Sequence, residues 1–426
     1  MLLIYNFLLV VGFLILLPKF LLQAKYRQSL LERLGFLTDF GTEKVIWLHC
    51  VSVGETQAAR PLVKALRQQL PDYKLVVSTT TLTGQQLAKK VFSNDAEKIF
   101  YFPFDLLFSV RRTLKKVNPK AIVLMETEIW LNLINEASKK GSKVYIVNAR
   151  LSEKSFKRYK IISKTMQKIL EKVERIVAQS EIDAEKFRRF VEPSKVQATA
   201  NLKFDQTFEK SEDELTDYFR QRFGIEQNPS LILAASTHEP EEKWILEAFQ
   251  ILQNQFPNLR LMLVPRHPER FDKVAEMIRL YGYDLIRRSN AESIKDKTAK
   301  VILIDSIGEL RSLMPLAQIV FIGGSLIKHG GQNILEAAIC QKPIITGFYT
   351  MNFESIINEF LKHNAIIRLP ELKQEDEIIQ ALVSTFSKLF LDESLRESLS
   401  KNAFSIVKSA KGASEKTAEI IAQSLR

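Results

Sequence analysis

Short apolar runs alternate with amphipathic stretches of helical length along the first half of the chain. Continuous runs of aliphatic and β-branched residues are typical of parallel strands buried on both faces. Strands that alternate with helices predict crossover connections, and therefore a parallel sheet covered by helices. The first helix is expected over about 56–70. The strand-like runs lie at 44–50, 74–80, 119–125, 142–148 and 175–179.

The same alternation starts again near residue 229. Helices are predicted at about 239–255, 268–281, 331–339 and 352–363. Between the two series, the polar stretch 206–229 contains Gly224 and Pro229 and is the predicted connection. The pattern therefore predicts two doubly wound α/β domains. The second set of strand-like runs lies at 230–236, 259–265, 300–305, 317–324 and 342–347.

The first 18 residues, MLLIYNFLLVVGFLILLP, carry no charged side chain. With residues 20–22 they reach the roughly 20 residues that a bilayer-spanning helix needs, so 1–22 is predicted to be a membrane anchor. A cleaved signal peptide would need a basic start and a small-residue cleavage site, and a buried core helix is the other alternative. The positive-inside rule places the rest of the chain in the cytoplasm. The basic residues behind this prediction are Lys19, Lys25, Arg27 and Arg33.

The chain of 426 residues has 61 Lys and Arg against 49 Asp and Glu, a formal charge of +12. This excess favours anionic partners, among them nucleic acid, anionic lipid and phosphorylated substrates, without choosing among them. The two cysteines, Cys50 and Cys340, are far apart and have no metal-type spacing. They therefore indicate neither a disulfide framework nor a zinc site.

Polar residues that directly follow strand runs are the candidates for chemistry, because ligands of open α/β sheets bind beyond the carboxyl ends of the strands. The segment HCVSVGE at 49–55 ends with Glu55 at the start of a predicted helix. Glu55 is either an ordinary first-turn acid that the helix dipole stabilises or a general base. The second interpretation expects Gly54 to turn the backbone tightly and present the carboxylate.

Two more carboxylates and two cations follow later strands of the first half. Glu126 and Glu128 come directly after AIVLM, where they either cap the next helix or orient a substrate hydroxyl. Arg150 and Lys203 follow strands in the same half and could meet an anionic substrate. Exposed cations are more often simply solvated.

The second half contains a phosphate-receptive pattern. Arg266 follows a strand and can present a bidentate fork to phosphate. Gly323 and Gly324 end another strand, and Gly330 and Gly331 open the helix predicted at about 331–339, whose backbone N–H groups would attract an anion. The chain has neither GxGxxG in its first strand–helix unit nor GxxxxGK[ST] anywhere. Dinucleotide enzymes and P-loop NTPases are therefore disfavoured.

Nine ordered motifs give the chain a resemblance to the Kdo (3-deoxy-D-manno-octulosonic acid) transferase family of lipopolysaccharide synthesis. They are HCVSVGE, METEIW, NARLS, LKFD, STHE, PRHPERF, GGSLIKHGGQN, LEAA and TMNF. The resemblance implies a GT-B fold, in which two Rossmann-like domains face a cleft. It assigns 1–22 to the anchor helix, 23–210 to an acceptor-binding domain and 211–426 to a CMP-sugar-binding domain, whose last helix can pack back on the first.

The resemblance also implies roles for individual residues. Glu55 would be the catalytic base of an inverting transfer of Kdo from CMP-Kdo to a lipid A precursor, and Glu126 and Lys203 would stabilise the transition state. Arg266 would contact the phosphate and Glu336 the ribose, with no metal and no cofactor. The residues that the resemblance assigns to CMP binding are Pro265, Arg266, Ile307, Gly308, Glu309, Asn333, Ile334, Leu335 and Glu336.

Basic clusters in the first half offer a route to the acceptor. Near a membrane, each surface cation adds about 1 kcal/mol of attraction to anionic lipid, although such runs are often only solvated helix faces. The expected partners are CMP-Kdo, the lipid A precursor and anionic lipid of the inner membrane, where a single-pass or monotopic anchor would hold cytoplasmic catalytic domains. The clusters are Arg111, Arg112, Lys115 and Lys116, and Lys154, Lys157, Arg158 and Lys160.

Three other functions stay open at this level. Another GT-B enzyme, such as an epimerase or a transferase with a UDP donor, would share the fold. A non-catalytic membrane-associated sugar- or lipid-binding protein would not need Glu55. Nucleic-acid binding is suggested by charge alone, and the apolar N-terminus and the lack of a recognisable nucleic-acid module disfavour it.

Overall fold

The computed structural model describes residues 2–40, 44–205, 210–225 and 230–426. The chain divides into two compact units. Unit 1 comprises Met1–Gln206 and Ala410–Arg426, and unit 2 comprises Thr207–Ser409. The division falls at the start of the stretch 206–229 that the sequence predicts as the connection. Within that stretch the structure has a helix of unit 2, while 206–209 and 226–229 lie outside the described residues.

Unit 1 contains a seven-stranded sheet in which every neighbouring pair is parallel. The strand order is β3-β2-β1-β4-β5-β6-β7, so the order reverses between β1 and β4. Side chains at the carboxyl ends of these two strands therefore flank a topological switch point. The strands are β1 Val45–Cys50, β2 Lys74–Thr79, β3 Lys98–Tyr101, β4 Ala121–Met125, β5 Lys143–Ala149, β6 Arg175–Ala178 and β7 Val196–Ala198.

Helices of unit 1 cover both faces of this sheet, and each face has its own apolar core. One core includes Trp47, Phe100 and Ile146, and the other includes Leu48, Val77 and Val147. Adjacent strand residues enter opposite cores, which is why the runs are apolar without alternation. The helices are α1 Leu2–Leu22, α2 Ala24–Arg33, α3 Val53–Gln69, α4 Leu82–Val91, α5 Leu107–Val117, α6 Leu131–Lys139, α7 Glu153–Ile161, α8 Ser163–Leu170 and α9 Glu181–Arg188.

Unit 2 repeats the architecture with strand order β10-β11-β9-β8-β12-β13-β14, again all parallel. Its strands are β8 Leu231–Thr237, β9 Arg260–Pro265, β10 Ile286–Arg287, β11 Val301–Leu303, β12 Ile319–Ile322, β13 Ile344–Thr346 and β14 Ile367–Arg368. Its helices are α10 Lys210–Phe223, α11 Glu241–Gln255, α12 Phe271–Leu280, α13 Leu310–Leu313, α14 Leu335–Ile339, α15 Glu354–Lys362, α16 Glu375–Leu391 and α17 Glu393–Ser409.

The last helix, α18 Ala413–Leu425, belongs to unit 1. Asp205 caps its first turn by accepting the backbone N–H groups of Gly412 at 2.7 Å and Ser414 at 2.6 Å. Gly412 has φ +89°, a left-handed conformation that favours glycine at this entry. Ala418 and Ile421 are fully buried in the core that contains β1 and α3. Residues more than 200 positions apart thus complete one domain.

The structure confirms all ten predicted strand runs and the helices that follow them. It adds β3, β7, β10 and β14, which have between two and four residues and are too short for a clear pattern. The helix predicted at 331–339 begins only at Leu335 and has five residues. The expectation that Gly330 and Gly331 open a helix is therefore wrong. They lie in an irregular segment with φ +105° and +75°.

Candidate active site

Three sequence-predicted residues of unit 1 lie in loops or helix starts at the carboxyl edge of its sheet. Glu55 follows β1, Glu126 follows β4, and Lys203 follows β7. The Lys203 ammonium lies 3.9 Å from Glu126 Oε1. The charge of Glu126 in turn acts on Glu55, since it is the second cause of that residue's shifted pKa after burial. The structure therefore brings these three groups into one electrostatic cluster.

Glu55 bonds back to the loop before α3 and keeps its carboxylate largely out of water. It is the third residue of α3 and is only 8% exposed. Its Oε2 accepts the Val51 N–H at 2.7 Å, and its Oε1 accepts the Ser52 hydroxyl at 3.3 Å. The structure thus confirms that Glu55 is an acid in the first turn of a helix.

Burial and neighbouring carboxylates hold the pKa of Glu55 far above its ordinary value, at about 8. Burial is the largest cause, followed by the charge of Glu126, with a smaller contribution from Glu128. The hydrogen bonds from Val51 and Ser52 act in the opposite direction and are too weak to cancel these effects. A carboxyl group with such a pKa can exchange a proton near neutral pH.

Gly54 has a different role from the predicted one. It lies in the first turn of α3, with no left-handed backbone angle. A Cβ built on it would meet only the Ser52 hydroxyl, at 3.9 Å. The expectation of a tight turn at Gly54 is therefore wrong. At this position the glycine is part of the first helical turn.

Glu126 adopts a left-handed backbone conformation, with φ +56°. That conformation costs roughly 1–2 kcal/mol for a residue with a Cβ. The Glu126 N–H donates to the Val147 carbonyl at 2.9 Å, which fixes the turn against β5. Strain held by neighbouring structure is common at functional sites. Burial also raises the pKa of Glu128, and the charge of Glu126 adds to this increase.

Two asparagines that the sequence argument did not single out position Lys203. Asn148, itself left-handed at φ +52°, accepts the Leu202 N–H at 3.0 Å. Asn201 accepts the Lys203 N–H at 3.0 Å and donates to Gln179 at 2.5 Å. Both asparagines are buried, so these bonds are shielded from water. The available signal was Asn148 at the end of the strand run 142–148, because Asn tolerates left-handed backbone.

In unit 2, the predicted CMP-binding residues lie in three loops at the carboxyl edge of the sheet. Pro265 ends β9, and the side chain of Arg266 is exposed while its N–H donates to the Thr237 carbonyl at 2.9 Å. Ile307 is 78% exposed, and Gly308 has φ +91°. Glu309 is engaged by Arg288 at 2.9 Å, so its carboxylate is already paired.

The third loop offers a ligand mainly its backbone. The side chains of Ile334 and Leu335 are fully buried, so only their main-chain atoms are available to a nucleotide. Asn333 Oδ1 accepts the Leu335 N–H at 3.1 Å. Glu336 Oε1 accepts from Arg311 Nε at 3.0 Å.

Glu241 holds the glycine-rich loop of unit 2 and was not predicted as a site residue. Its carboxylate is fully buried and accepts backbone N–H groups from four residues. Burial raises its pKa to about 7, against the lowering effect of these bonds. In the sequence, the only sign of this role was the position of Glu241 two residues after the STHE motif. The donors are His238 at 2.9 Å, Gly324 at 2.6 Å, Ser325 at 3.0 Å and Leu326 at 2.9 Å.

The glycine of this loop that precedes Gly324 is needed for internal packing. A Cβ on Gly323 would lie 2.6 Å from the Ser236 carbonyl oxygen and 2.9 Å from Glu241 Oε2. The close approach is therefore between two backbone segments of the protein. It positions Gly324, whose own N–H is taken by Glu241.

Three histidines cluster beside this loop. The ring of His238 lies 4.1 Å from that of His329 and 5.1 Å from that of His267. Burial, followed by the neighbouring imidazoles, lowers the pKa of His238 to about 4, so this ring is neutral at pH 7. Within the described ranges, no group of three or more His, Cys, Asp or Glu side chains is arranged to hold a metal ion.

Solved structures show the fold class. A UDP-GlcNAc 2-epimerase from Neisseria meningitidis matches with a TM-score of 0.61 at 14% identity, over 89% of this chain and 100% of that one. A glycosyltransferase from Rickettsia africae matches with a TM-score of 0.58 at 13% identity, over 90% and 99%. Two doubly wound parallel sheets with polar loops at their carboxyl edges thus define a GT-B protein.

Sequence relatives identify the family within this class. Residues 28–206 match the family model described as 3-deoxy-D-manno-octulosonic-acid transferase (kdotransferase). The 3-deoxy-D-manno-octulosonic acid transferase of Haemophilus influenzae is 35% identical over 403 residues, which cover 93% of this chain and 91% of the relative. The chain belongs to the Kdo transferase family, whose members are glycosyltransferases of lipopolysaccharide biosynthesis.

Proposed function

We propose that the protein transfers Kdo from CMP-Kdo to a lipid A precursor with inversion at the anomeric carbon. The observation that carries this proposal is the buried Glu55 carboxyl group, whose pKa is raised to about 8 beside Glu126 and Lys203. A base for a sugar hydroxyl needs a pKa near the working pH and a place at the ligand-binding edge of its sheet. Glu55 has both.

The reaction proceeds as a single displacement. Ionised Glu55 takes the proton of the acceptor hydroxyl, and the oxygen forms a bond to the anomeric carbon of Kdo. The bond from that carbon to the CMP phosphate oxygen breaks, and the electron pair leaves with CMP. Attack opposite to the leaving group inverts the configuration. Lys203 balances negative charge that develops on the sugar carboxylate or the departing phosphate.

Unit 2 binds the donor in this proposal. Arg266 is exposed at the end of β9 and contacts the phosphate. The carboxylate of Glu336 accepts a ribose hydroxyl, while the exposed loop at Ile307 and Gly308 lies against the base. Pro265 and the 333–335 segment supply shape and main-chain groups, and the neutral ring of His238 adds no charge.

We also infer that transfer needs neither a metal nor a cofactor. The positive charges of Arg266 and Lys203 can stabilise a phosphate leaving group in place of a metal ion. Activity in the presence of a chelator tests this part separately, since a strict metal requirement would abolish it.

The proposed location is the inner membrane, with both α/β units in the cytoplasm. Among the described residues, one helix is long and apolar enough to cross a membrane, over Leu3–Leu22 with mean hydropathy 2.1. Such a helix agrees with a lipid acceptor and with the basic residues that follow it. Anionic lipid is the expected membrane partner, and nucleic acid is not expected.

The test is to incubate the full chain with CMP-Kdo and a tetra-acylated lipid A precursor, with and without chelator, and to determine the product mass and anomeric configuration. The proposal expects one or more added Kdo residues and inverted linkage. Glu55→Gln should lose about 10²–10⁴-fold in rate, as expected for removal of a general base. The exposed Glu419→Gln is the matched control.

Three outcomes would overturn the proposal in different ways. Normal transfer by Glu55→Gln would reject the base, and tight binding of UDP rather than CMP would reject the donor. A retained linkage would reject the single displacement while keeping the transferase.

A further inference from the structure

The few polar residues of α1 near its start face unit 1. Tyr5 Oη donates to Asp105 Oδ2 at 2.7 Å, and Asn132 Nδ2 donates to Asn6 Oδ1 at 2.6 Å. Asp105 is 3% exposed and also accepts the N–H groups of Asn132 at 3.0 Å and Leu133 at 2.9 Å. The start of α1 is thus tied to a buried carboxylate at the beginning of α6.

The same face of α1 contacts unit 1 further along. The Phe13 and Phe20 rings lie 5.4 and 5.1 Å from the ring of Phe104. From Tyr5 to Phe20 the helix rises about 22 Å, which is most of its length. The less exposed positions repeat at helical spacing and form one stripe. They are Tyr5, Asn6, Leu9, Gly12, Phe13, Leu17 and Phe20.

The opposite face of α1 is apolar and exposed. Leu3 is 85%, Phe7 68% and Ile15 71% exposed. A helix that crosses a bilayer is surrounded by hydrocarbon or by other apolar elements along its whole length. Here one face lies along a domain with a charged surface, which cannot enter hydrocarbon. A crossing orientation would separate Tyr5 or Phe20 from its contact with unit 1.

The surface next to α1 is basic and aromatic. Helix α5 begins two residues after Asp105, and its exposed positions Phe108, Arg111, Arg112 and Lys115 recur with helical spacing on one face. Phe36, 54% exposed, lies under the Arg112 guanidinium at 4.0 Å. Aromatic and cationic side chains together suit the headgroup layer of an anionic membrane.

We infer that α1 lies flat in the surface of an anionic lipid leaflet, with its outer face among the upper acyl chains, and does not cross the bilayer. This inference rests on the membrane location given in the proposed function. Its consequence follows from the topology of unit 1. Phe104 and Asp105 follow β3, and Asn132 follows the loop after β4, so the helix is held at the same edge of the sheet as Glu126. A lipid acceptor in that leaflet would meet the edge that carries the candidate base.

The test measures the depth of α1 in the membrane. Leu3→Cys, Ile15→Cys and Leu22→Cys are made one at a time in the full chain with Cys340→Ser, labelled with a small fluorophore and bound to vesicles of phosphatidylglycerol and phosphatidylcholine. The remaining Cys50 is buried, and the Cys340→Ser parent is the labelling control. Lipids with quenchers at defined depths then locate each label.

A flat helix places all three labels at one shallow depth, roughly 5–10 Å into the headgroup and acyl boundary. A crossing helix places the Ile15 label deepest, near the bilayer centre, and that result would overturn the inference. The double variant Tyr5→Phe with Asn6→Leu should move the Ile15 label deeper, because α1 loses its hydrogen bonds to Asp105 and Asn132. An unchanged depth would show that these contacts do not set the orientation.

A second measurement tests the lipid chemistry. Arg112→Gln with Lys115→Gln should weaken binding to vesicles that contain phosphatidylglycerol about tenfold, and should leave binding to pure phosphatidylcholine unchanged. Lys89→Gln with Lys90→Gln, an equal charge loss on exposed residues of α4, is the matched control. An equal effect of both pairs would reject the α5 face as the lipid contact.

Kdo transfer in detergent micelles separates this inference from the proposed function. Full transfer together with a deep Ile15 label rejects the flat helix alone. No transfer together with three shallow labels rejects the enzymatic proposal and supports the flat helix.

Discussion

Glu55 lies in the first turn of helix α3 and is also the proposed base. Hydrogen bonds from Val51 and Ser52 hold its carboxylate, while burial and Glu126 raise its pKa to about 8. These bonds give the base a defined position, and the surroundings give it a proton affinity suited to neutral pH.

The first prediction at the residue scale concerns activity and pH. We expect kcat/KM to rise with pH along a limb whose pKa is about 8, because only ionised Glu55 can accept a proton. Glu126→Gln should shift this limb to lower pH, since it removes the nearest like charge. The pH profile of Kdo transfer measures both, with Glu419→Gln as a control that leaves the limb in place. A limb near the ordinary carboxyl value of 4.5 would contradict the assignment.

The second prediction concerns stability, which Glu55 should lower as the pH rises, whereas activity should increase. Folding raises the pKa of Glu55. The contribution of Glu55 to the free energy of unfolding is therefore greatest below about pH 4.5 and is lost as the pH rises through about 8. Glu55→Gln removes this loss. Relative to pH 5, the variant should gain roughly 2–5 kcal/mol over the wild type by pH 9. Urea unfolding at the two pH values measures the difference, and an equal difference at both would count against a buried, protonatable Glu55.

At the scale of elements, buried acids organise loops in both units. Glu241 gathers four N–H groups and so fixes the glycine-rich loop after β12 against the loop after β8. Asp205 fixes the start of α18 in the same way. Each carboxylate satisfies backbone donors that would otherwise be buried without partners. The irregular segments around the candidate sites are thus held in place.

Replacing Glu241 tests the loop of unit 2. Glu241→Gln puts an amide donor among backbone donors, so at least one N–H loses its acceptor, at a cost of about 1–3 kcal/mol. We expect weaker CMP binding, with a higher KM for the donor and a smaller change in kcat. Calorimetric titration with CMP measures the effect, and the exposed Glu276→Gln is the control. Unchanged CMP affinity would show that this loop does not bind the donor.

Helix α18 gives a prediction about unit 1. Ile421 is fully buried beside β1 and α3, so Ile421→Ala should cost about 2–5 kcal/mol of unfolding free energy. Glu419→Ala on the exposed face of the same helix should change stability little. Denaturant unfolding of both variants in a Trp244→Phe background, followed by the fluorescence of Trp47 and Trp130, reports on unit 1. Equal effects of the two variants would show that α18 is not part of this core.

At the scale of the whole molecule, the proposed functions are divided between the units. Unit 1 carries the apolar helix, the basic surface and the candidate base, and unit 2 carries the loops assigned to CMP. The net charge of +12 suits both an anionic leaflet and an anionic donor. The division allows membrane attachment and donor binding to be tested separately.

Deletion of residues 2–22 tests this division. The shortened chain should bind CMP with unchanged affinity, because the assigned residues are in unit 2, while transfer to a vesicle-embedded acceptor should fall at least tenfold. Transfer to an acceptor dispersed in detergent should fall less. Equal losses in both assays would point to a structural role of α1, and circular dichroism of the shortened chain checks that it has folded.

Most of the strands could be predicted because their information is local. Ala121–Met125 and Ile319–Ile322 are continuous apolar runs, which a strand buried on both faces requires. The short edge strands β10 and β14 have two residues each and depend on pairing with a neighbour. The length of α14 was overestimated, because Gly330 and Gly331 bond outside any helix: Gly330 accepts the Asn352 N–H, and the Gly331 N–H donates to Gly324.

The sequence predicted which residues form the candidate site better than it predicted how they are held in place. Glu55, Glu126 and Lys203 could be found because polar residues follow apolar runs and match ordered motifs. The roles of Asn148 and Glu241 could not, because hydrogen bonds to backbone groups 54 to 85 positions away leave no local pattern.

The sequence by itself determined the class of fold, the apolar N-terminal helix, the excess of positive charge and the family motifs, since periodicity, composition and residue order are properties of short segments. Only the tertiary structure decided that α1 packs along unit 1 through Tyr5 and Phe20, that the Glu55 pKa is raised to about 8, and that α18 completes the first domain. Burial and contacts between distant segments set these properties, and both exist only once the chain is folded.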